Sequence, residues 1–460
     1  MASLFGLLDT ARSALITHQL ALNVTGHNVA NVDTPGYTRQ RLELGARLGS
    51  EQRPTGIGAG VEPIGLQRLR MESFDRAYRR EAGGLGESGQ RSAQLGAVES
   101  LVAEPGDPGI SDALDKFWSA WSDLGNEPAE ESYRRTVLEA GHRVSARFNQ
   151  LAGQFKAQRE DLNTEVARVG GELNNLAVDL AELNGSIRAA ELNGQVASDL
   201  RDRRDLLLDD LAGLVDMRAA EDEQGVFRVW VGGRALVDGT VASQLTTSQQ
   251  AAEDGTVLTR LHWSDSGHEF EVASGELGGL LDVRDRVLPA RLLELDQLAD
   301  TLVAEVNRLH RAGTDLGGRA GREFFDPAGQ GASGLALSNW VRDEPGRVVA
   351  SADGGQGNGE QATAIAQLAE TRLAALAGLS LGEAWGTLVS RVGAEAQRAE
   401  ADYTAQQAFV SELDNRRQSI SGVNLDEELT LMLQQEQAYS AAARVISTAD
   451  SMIQELLQLV

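Results

Sequence analysis

The chain has 460 residues, no cysteine, and 42 basic against 68 acidic residues, a formal charge of −26. That length holds two or three domains or one elongated run of helices, and the charge argues against a general binder of nucleic acid or anionic lipid. The missing thiols exclude disulfides, thiolate metal sites and cysteine nucleophiles, while aromatic residues at 5% are too few for a base-stacking platform.

The first residues, MASLFGLLDTARSALITHQLAL, carry no basic leader, and Asp9, Arg12 and His18 interrupt any apolar run. Neither a cleaved signal nor a membrane span is expected, here or across Leu373 to Val389. The expectation is a soluble chain, cytoplasmic or exported by a route that leaves no cleaved signal.

Leu4, Leu8, Ala11, Leu15, Leu22 and Val29, with His18 and Thr25 in the gaps, step by four and three residues. That is a heptad stripe. His18 reads as a polar residue that sets register in a helical seam. Asn31 to Tyr37 follows as a turn: Thr34-Pro35-Gly36-Tyr37 places Pro at i+1 and Gly at i+2, the chemistry of type II. Short extended pieces are expected at 39–44 and 61–66. Leu114, Phe117, Trp118, Trp121 and Leu124 then mark one face of a helix capped at Ser111 or Asp112. From Val137 to Ile187 a three-four stripe runs for about fifty residues, long enough to predict a coiled coil, and Asn193-Gly194 ends it. A returning helix is expected over 199–215.

The period next changes to two. Strands are expected at 226–231, 235–237, 257–263 and 269–272, divided by Gly-Gly, Asp-Gly and Ser-Gly turns. Helix returns over 285–310, a glycine-rich passage covers 313–360, and further helices occupy 361–420. Gly422 interrupts the last of these. Beyond it Leu425, Met432, Tyr439, Ile446, Ile453 and Val460 repeat every seven residues, with Ala442, Ala449 and Leu456 at the partner position. The fold class is therefore mainly α with a small β-rich insertion. The terminal heptad helices pair as a coiled-coil core, and a long helical bundle forms the middle. The expected units are 1–36, 37–215, 216–285, 286–420 and 421–460.

Catalytic and ligand chemistry is nearly absent. The six histidines are scattered, and His268-Glu269 lacks the second histidine of a zincin. Gly354 to Gly359 follows no strand, so a linker outweighs a phosphate loop. Asp282/Asp285 and Asp209/Asp210 read as solvated pairs in an acidic chain, and Trp118 and Trp121 read as core. No cofactor, metal or enzymatic activity is expected. The terminal stripes are rich in Ala, Thr, Gln and Ser and bury too little apolar surface to pay for ordering two helices alone. They are expected to be disordered in the monomer and to fold against neighbouring copies.

NVANVDTPGYTRQ (28–40) and SGVNLDEELTLMLQQEQAYSAAARVISTADSMIQELLQLV (421–460) resemble the two terminal signatures of the bacterial flagellar axial proteins. LDKFWSAWSDLGNEPAEESYRR (114–135), DLRDRRDLLLDDLAGLVD (199–216), GGRALVDG (232–239) and EVNRLHRAG (305–313) are most similar to the hook-associated branch, which forms the junction between hook and filament. The chain looks shorter than many relatives, mainly in the outer strand domain.

The resemblance implies a structural protein of the flagellum, exported without a cleaved signal and assembled outside the cell. It implies that Leu4, Leu8, Ala11, Leu15, Leu22, Val29, Leu425, Met432, Tyr439, Ala442, Ile446, Ala449, Ile453, Leu456 and Val460 form the subunit-assembly core. Leu425, Met432, Tyr439, Ile446 and Ile453 would also receive an export chaperone. Asn31, Thr34, Pro35, Gly36, Tyr37 and Gly422 would form hinges that let the middle layer tilt. The implied partners are copies of itself, the flagellar hook protein, hook-associated protein 3 as second junction protein, and the chaperone, with no nucleic acid and no membrane insertion.

Overall fold

A computed structural model describes residues 2–47, 58–102, 109–192, 194, 196–222, 225–252 and 254–458. Helix α1 (Ala2–Ala30) leads into a hairpin of β1 (Gln40–Ala46) and β2 (Val61–Arg68), where Pro63 sits at a break in register opposite Leu44. Both strands are edges, so the missing Pro63 N–H costs no ladder bond that a central strand would need. Helices α2 (Glu72–Val102), α3 (Ile110–Asn126), α4 (Glu131–Glu191) and α5 (Ser198–Leu214) follow. Helix α3 starts at Ile110 behind Gly109 with no side-chain cap, so neither Ser111 nor Asp112 has the expected role.

Helix α4 runs 61 residues without a break, through Gly170-Gly171. It is longer than the fifty-residue stripe, and it does not form a two-stranded coiled coil. Its buried face meets α3, α5 and the strands in succession. A Cβ at Gly170 would come within 2.6 Å of Leu261, so glycine there lets a strand lie against the helix backbone. Asn193 falls outside the described residues; Gly194, at φ +77°, follows the end of α4.

The insertion is a four-stranded antiparallel meander, β3 (Met217–Glu221), β4 (Phe227–Val231), β5 (Arg234–Asp238) and β6 (Val241–Ala242), beside a hairpin of β7 (Leu245–Ala251) and β8 (Val257–Trp263). Strands β3 and β7 escape the period-two reading because MRAAE and TTSQQ carry almost no apolar alternation. Segment 269–272 is not a strand; it makes one bridge, His262 to Glu269, and bends away.

Helix returns at Gly275, ten residues earlier than the sequence implies, as α6 (Gly275–Asp282), a π-turn (Val283–Val287) and α7 (Leu288–Ala312). Pro289 explains the π-turn. The Leu288 N–H bonds to the Val283 carbonyl, and residue 289 has no N–H, so the Arg284 carbonyl is left over. Arg159 of α4 fills it with its Nε at 2.9 Å. The Arg284 side chain, fully buried, grips Asp285 at 2.8 and 2.9 Å and the Thr259 carbonyl at 2.6 Å, docking β8 on the bundle.

Short helices α8 (Gly331–Gly334), α9 (Asn339–Arg342) and α10 (Glu360–Ala366) punctuate the glycine-rich passage. Gly354 to Gly359 is a compact turn held by Asp353 and Asn358 rather than a loose linker. Helix α11 (Leu381–Ser421) begins at a capping box of Ser380 and Glu383, and α12 (Leu425–Gln458) closes the chain. The core is one apolar cluster in this body. Phe117, Trp121, Phe324 and Phe325 stack edge to face at its centre, Trp121 and Phe324 at 5.2 Å between ring centroids. Trp118 and Trp121 are core, as expected. Helices α2, α5 and α6 meet at backbone contact, because a Cβ at Gly86 would lie 2.1 Å from the Gly213 carbonyl. No described helix is long and apolar enough to cross a membrane.

Candidate assembly interface

Helices α1 and α12 pack along each other, and α1 also carries the β1–β2 hairpin on its flank. The predicted stripes face this seam in part. Ala11, Ala442 and Ala449 are buried, so the backbones approach closely; Leu4, Leu8, Leu15, Leu22, Val29, Met432, Ile446 and Ile453 are half-buried. Leu425, Tyr439 and Leu456 remain exposed, and Val460 lies outside the described residues. His18 bonds Gln435 across the seam at 2.6 Å, the register role that its position implies.

Sequence reasoning missed a second apolar surface on the same pair. Phe5, Ile16 and Leu20 on α1, and Leu429, Leu433, Met452 and Leu457 on α12, point to solvent, Phe5 at 64% and Leu457 at 71% exposure. Reading one heptad face hides them, because a helix can be apolar on more than one side. Isolated exposed leucines are ordinary. A row of them along both helices of a pair is the signature of an uncovered contact surface.

The root of the pair is polar and closed. Asn28 is 1% exposed and makes four bonds: Nδ2 to the Gln40 carbonyl at 2.9 Å and to Glu428 at 3.0 Å, Oδ1 from the Gln40 N–H at 3.0 Å and from the Tyr37 hydroxyl at 2.8 Å. Its amide thus ties α1, the hairpin and α12 together. Glu428, also 1% exposed, is paired by Arg39 at 2.6 Å, whose Nη1 reaches Glu427 at 2.7 Å. The only advance signal for Asn28 was its place at the head of NVANVDTPGY.

Of the expected hinge residues, Thr34 to Tyr37 form the predicted turn: Gly36 has φ +76°, and the Thr34 carbonyl accepts the Tyr37 N–H at 3.2 Å. Asn31 donates to the His27 carbonyl and accepts from Thr34. Burial, then Asp199, Asp202 and Glu428, push the Tyr37 hydroxyl well above the ordinary phenol range, so it stays a donor. Gly422 ends α11 in extended backbone; a Cβ there would lie 2.5 Å from the Gln418 carbonyl, which the Gly422 N–H bonds at 2.7 Å. The Arg39 N–H in turn bonds the Ser421 carbonyl at 2.8 Å. Both segments are therefore pinned, and bending there would have to break named bonds.

The carboxylates expected to be solvated are mostly paired. Asp209 meets Arg79 and Arg417, and Asp282 and Asp285 meet Arg286 and Arg284. Among the described residues no acidic or histidine cluster could hold a metal ion.

Comparison with known proteins agrees with this architecture. Residues 95–325 match the model of the flagellar hook-associated protein FlgK helical domain, residues 8–38 that of the flagella basal body rod protein, and residues 403–459 that of the flagellar basal body rod FlgEFG protein C-terminal region. The chain is 29% identical over 507 positions to flagellar hook-associated protein 1 of Bacillus subtilis, covering 99% of this chain and 98% of that one. It is 24% identical over 555 positions to the Salmonella typhimurium protein of the same name, covering 98% and 99%. The solved structure of the flagellar hook junction protein FlgK from Burkholderia pseudomallei shares the fold, with TM-score 0.63 and 14% identity over 75% of this chain and all of that one. The chain belongs to the flagellar hook-associated protein FlgK family and is a structural component of the bacterial flagellum.

Proposed function

We propose that this chain forms the junction between hook and filament, with the α1–α12 pair as its inner assembly core, the helical body around it and the strand insertion outermost. The observation that carries the proposal is the uncovered apolar surface on both terminal helices, Phe5 and Ile16 on one and Leu433 and Leu457 on the other. Copies of the chain would bury it through a heterologous contact repeated about an axis, which builds a ring or tube. The hook protein below and hook-associated protein 3 above are the remaining structural partners of this reading.

Export unfolded through the flagellar secretion route, without a cleaved signal, belongs to the same proposal. A chaperone would hold Leu425, Met432, Tyr439, Ile446 and Ile453 in transit. Met432, Ile446 and Ile453 are half-buried against α1, so chaperone and α1 compete for them and pairing follows release.

Antibody labelling of residues 226–280 on intact flagella, viewed by electron microscopy, tests the placement. A single band where hook meets filament is expected. Label along the hook or rod would make the chain a different axial protein, and label confined to the cytoplasm would overturn the proposal.

A further inference from the structure

Helix α4 divides by charge. From Glu131 to Arg159 it carries six basic and two acidic residues, and from Glu160 to Glu191 two basic and seven acidic. Its outer face is uncovered along most of its length, with exposed residues recurring every three or four positions from Ser132 to Ser186. A Cβ at Gly153 or Gly171 on that face would meet nothing within 4 Å.

Acids outnumber bases 68 to 42 in this chain, so a cation on its surface has many carboxylates to choose from. Arg134 and Arg159 of the basic half are buried and held by carbonyls of the body, and Arg135 pairs with Glu131 at 2.8 Å. Arg143 and Arg147 are different. They have no carboxylate partner among the described residues, and Arg147 reaches only Gln150, at 3.0 Å. Asp179 and Glu182, exposed in the acidic half, have no cation partner among the described residues either. Arg143 and Asp179 are 36 positions apart, about ten turns, so they lie on one side of the helix about 54 Å from each other. They cannot meet within one chain.

A second copy supplies the missing partners. Two chains of charge −26 repel wherever their acidic surfaces meet, and the basic half of α4 is a face where an acidic neighbour is attracted instead. We propose that the outer face of α4 docks on α4 of the next copy, shifted along the helix so that Arg143 and Arg147 meet the next copy's Asp179 and Glu182. The proposal rests on the reading of the chain as a subunit repeated about an axis. Each copy then offers one basic and one acidic half, a heterologous contact that propagates. Exposed ion pairs contribute little affinity one by one; complementary potentials set register and reject wrong dockings.

The test uses the full-length chain in cells that lack the native copy, its amount in isolated flagella measured by quantitative immunoblot against the hook protein. R143E/R147E should lower that amount about fivefold. D179R/E182R should do the same, although it makes the chain less acidic and would help if net charge alone mattered. The quadruple variant R143E/R147E/D179R/E182R restores opposite charges between copies at the native net charge, and should recover to within about twofold of the native amount. Unchanged amounts in either double variant would overturn the proposal, as would losses that the quadruple variant leaves unrepaired while its near-ultraviolet tryptophan signal is native. Gln150→Cys with Ser186→Cys in this cysteine-free chain decides the matter if the charge variants do not fold or do not leave the cell. A bismaleimide thiol cross-linker applied to isolated flagella should then give a ladder of linked copies, and monomer alone would overturn the contact. A closed dimer of the free chain that R143E/R147E dissolves would overturn the propagating arrangement. A failed contact with the chain present in flagella leaves the junction reading standing, whereas a native chain absent from flagella overturns both.

Discussion

The body and the terminal pair are both helical, yet they use their apolar residues in opposite ways. In the body, Trp121, Phe148, Val166 and Leu180 are at 1% exposure or less, and one core is closed by its own chain. Among the described residues of the terminal pair only alanines, threonines, Asn28 and Glu428 are buried, while the leucines are half-buried or in solvent. A helical fold can thus be finished in one region and left as half an interface in another, and what separates them is where large side chains find partners.

The largest test of that contrast is truncation in the body. Trp121→Ala should cost about 4 kcal/mol in denaturant titration, since it removes the centre of the aromatic cluster; a loss below about 1 kcal/mol would mean that the core is not closed there.

Acid should separate the regions next. His310 is fully buried, its Nδ1 2.5 Å from the Arg322 carbonyl and its Nε2 accepting the Val349 N–H at 3.0 Å. Burial, aided by Arg134, lowers its pKa from 6.5 to about 4. Its neutral form is favoured by folding, so its contribution is complete above pH 6.5 and falls by about 3 kcal/mol between pH 6.5 and 4. Asp205 is depressed from 3.8 to about 2, so its contribution is complete above pH 3.8 and lost only as pH falls toward 2. Denaturation followed between pH 7 and 3 should show the body weakening first, and H310Q should flatten that slope.

At the root of the terminal pair, Asn28→Ala should cost about 2 kcal/mol by leaving one Glu428 oxygen and the Gln40 backbone groups without their partner, read as faster amide exchange across the hairpin. Gly422→Ala sharpens the question of the joint. The Cβ clash with the Gln418 carbonyl predicts a frayed last turn of α11 worth about 1 kcal/mol, not a stiffer hinge; unchanged motility would argue that this turn does not transmit the junction's load. The smallest effect is Ile446→Ala, below about 1 kcal/mol in the free chain for a half-buried side chain, but it should cut incorporation into flagella. Hydrogen exchange on the free chain frames all of these. Residues 2–30 and 425–458 should exchange far faster than α4, and equal protection would show that the pair needs no neighbours.

The sequence by itself determined the long helices α1, α3, α4, α5, α7, α11 and α12, the strands β4, β5 and β8, and the Thr34–Tyr37 turn, because these depend on spacing of three and four, spacing of two, and a Pro-Gly pair read over a few residues. It located the terminal stripes but only one face of them, since periodicity ranks residues along a helix without saying how many neighbours will cover it. Tertiary structure alone decided the rest. The π-turn needed Arg159 from another helix to absorb a stranded carbonyl, and strands β3 and β7 needed partners rather than apolar alternation. Asn28 became a hub only when three elements converged on one amide. The aspartates of α5, ordinary as a string of letters in an acidic chain, became buried ion pairs only when arginines from β2, α2 and α11 met them. Charge pairing acts over a few ångströms of space, and those ångströms join residues as distant in sequence as Arg39 and Glu428, 389 positions apart.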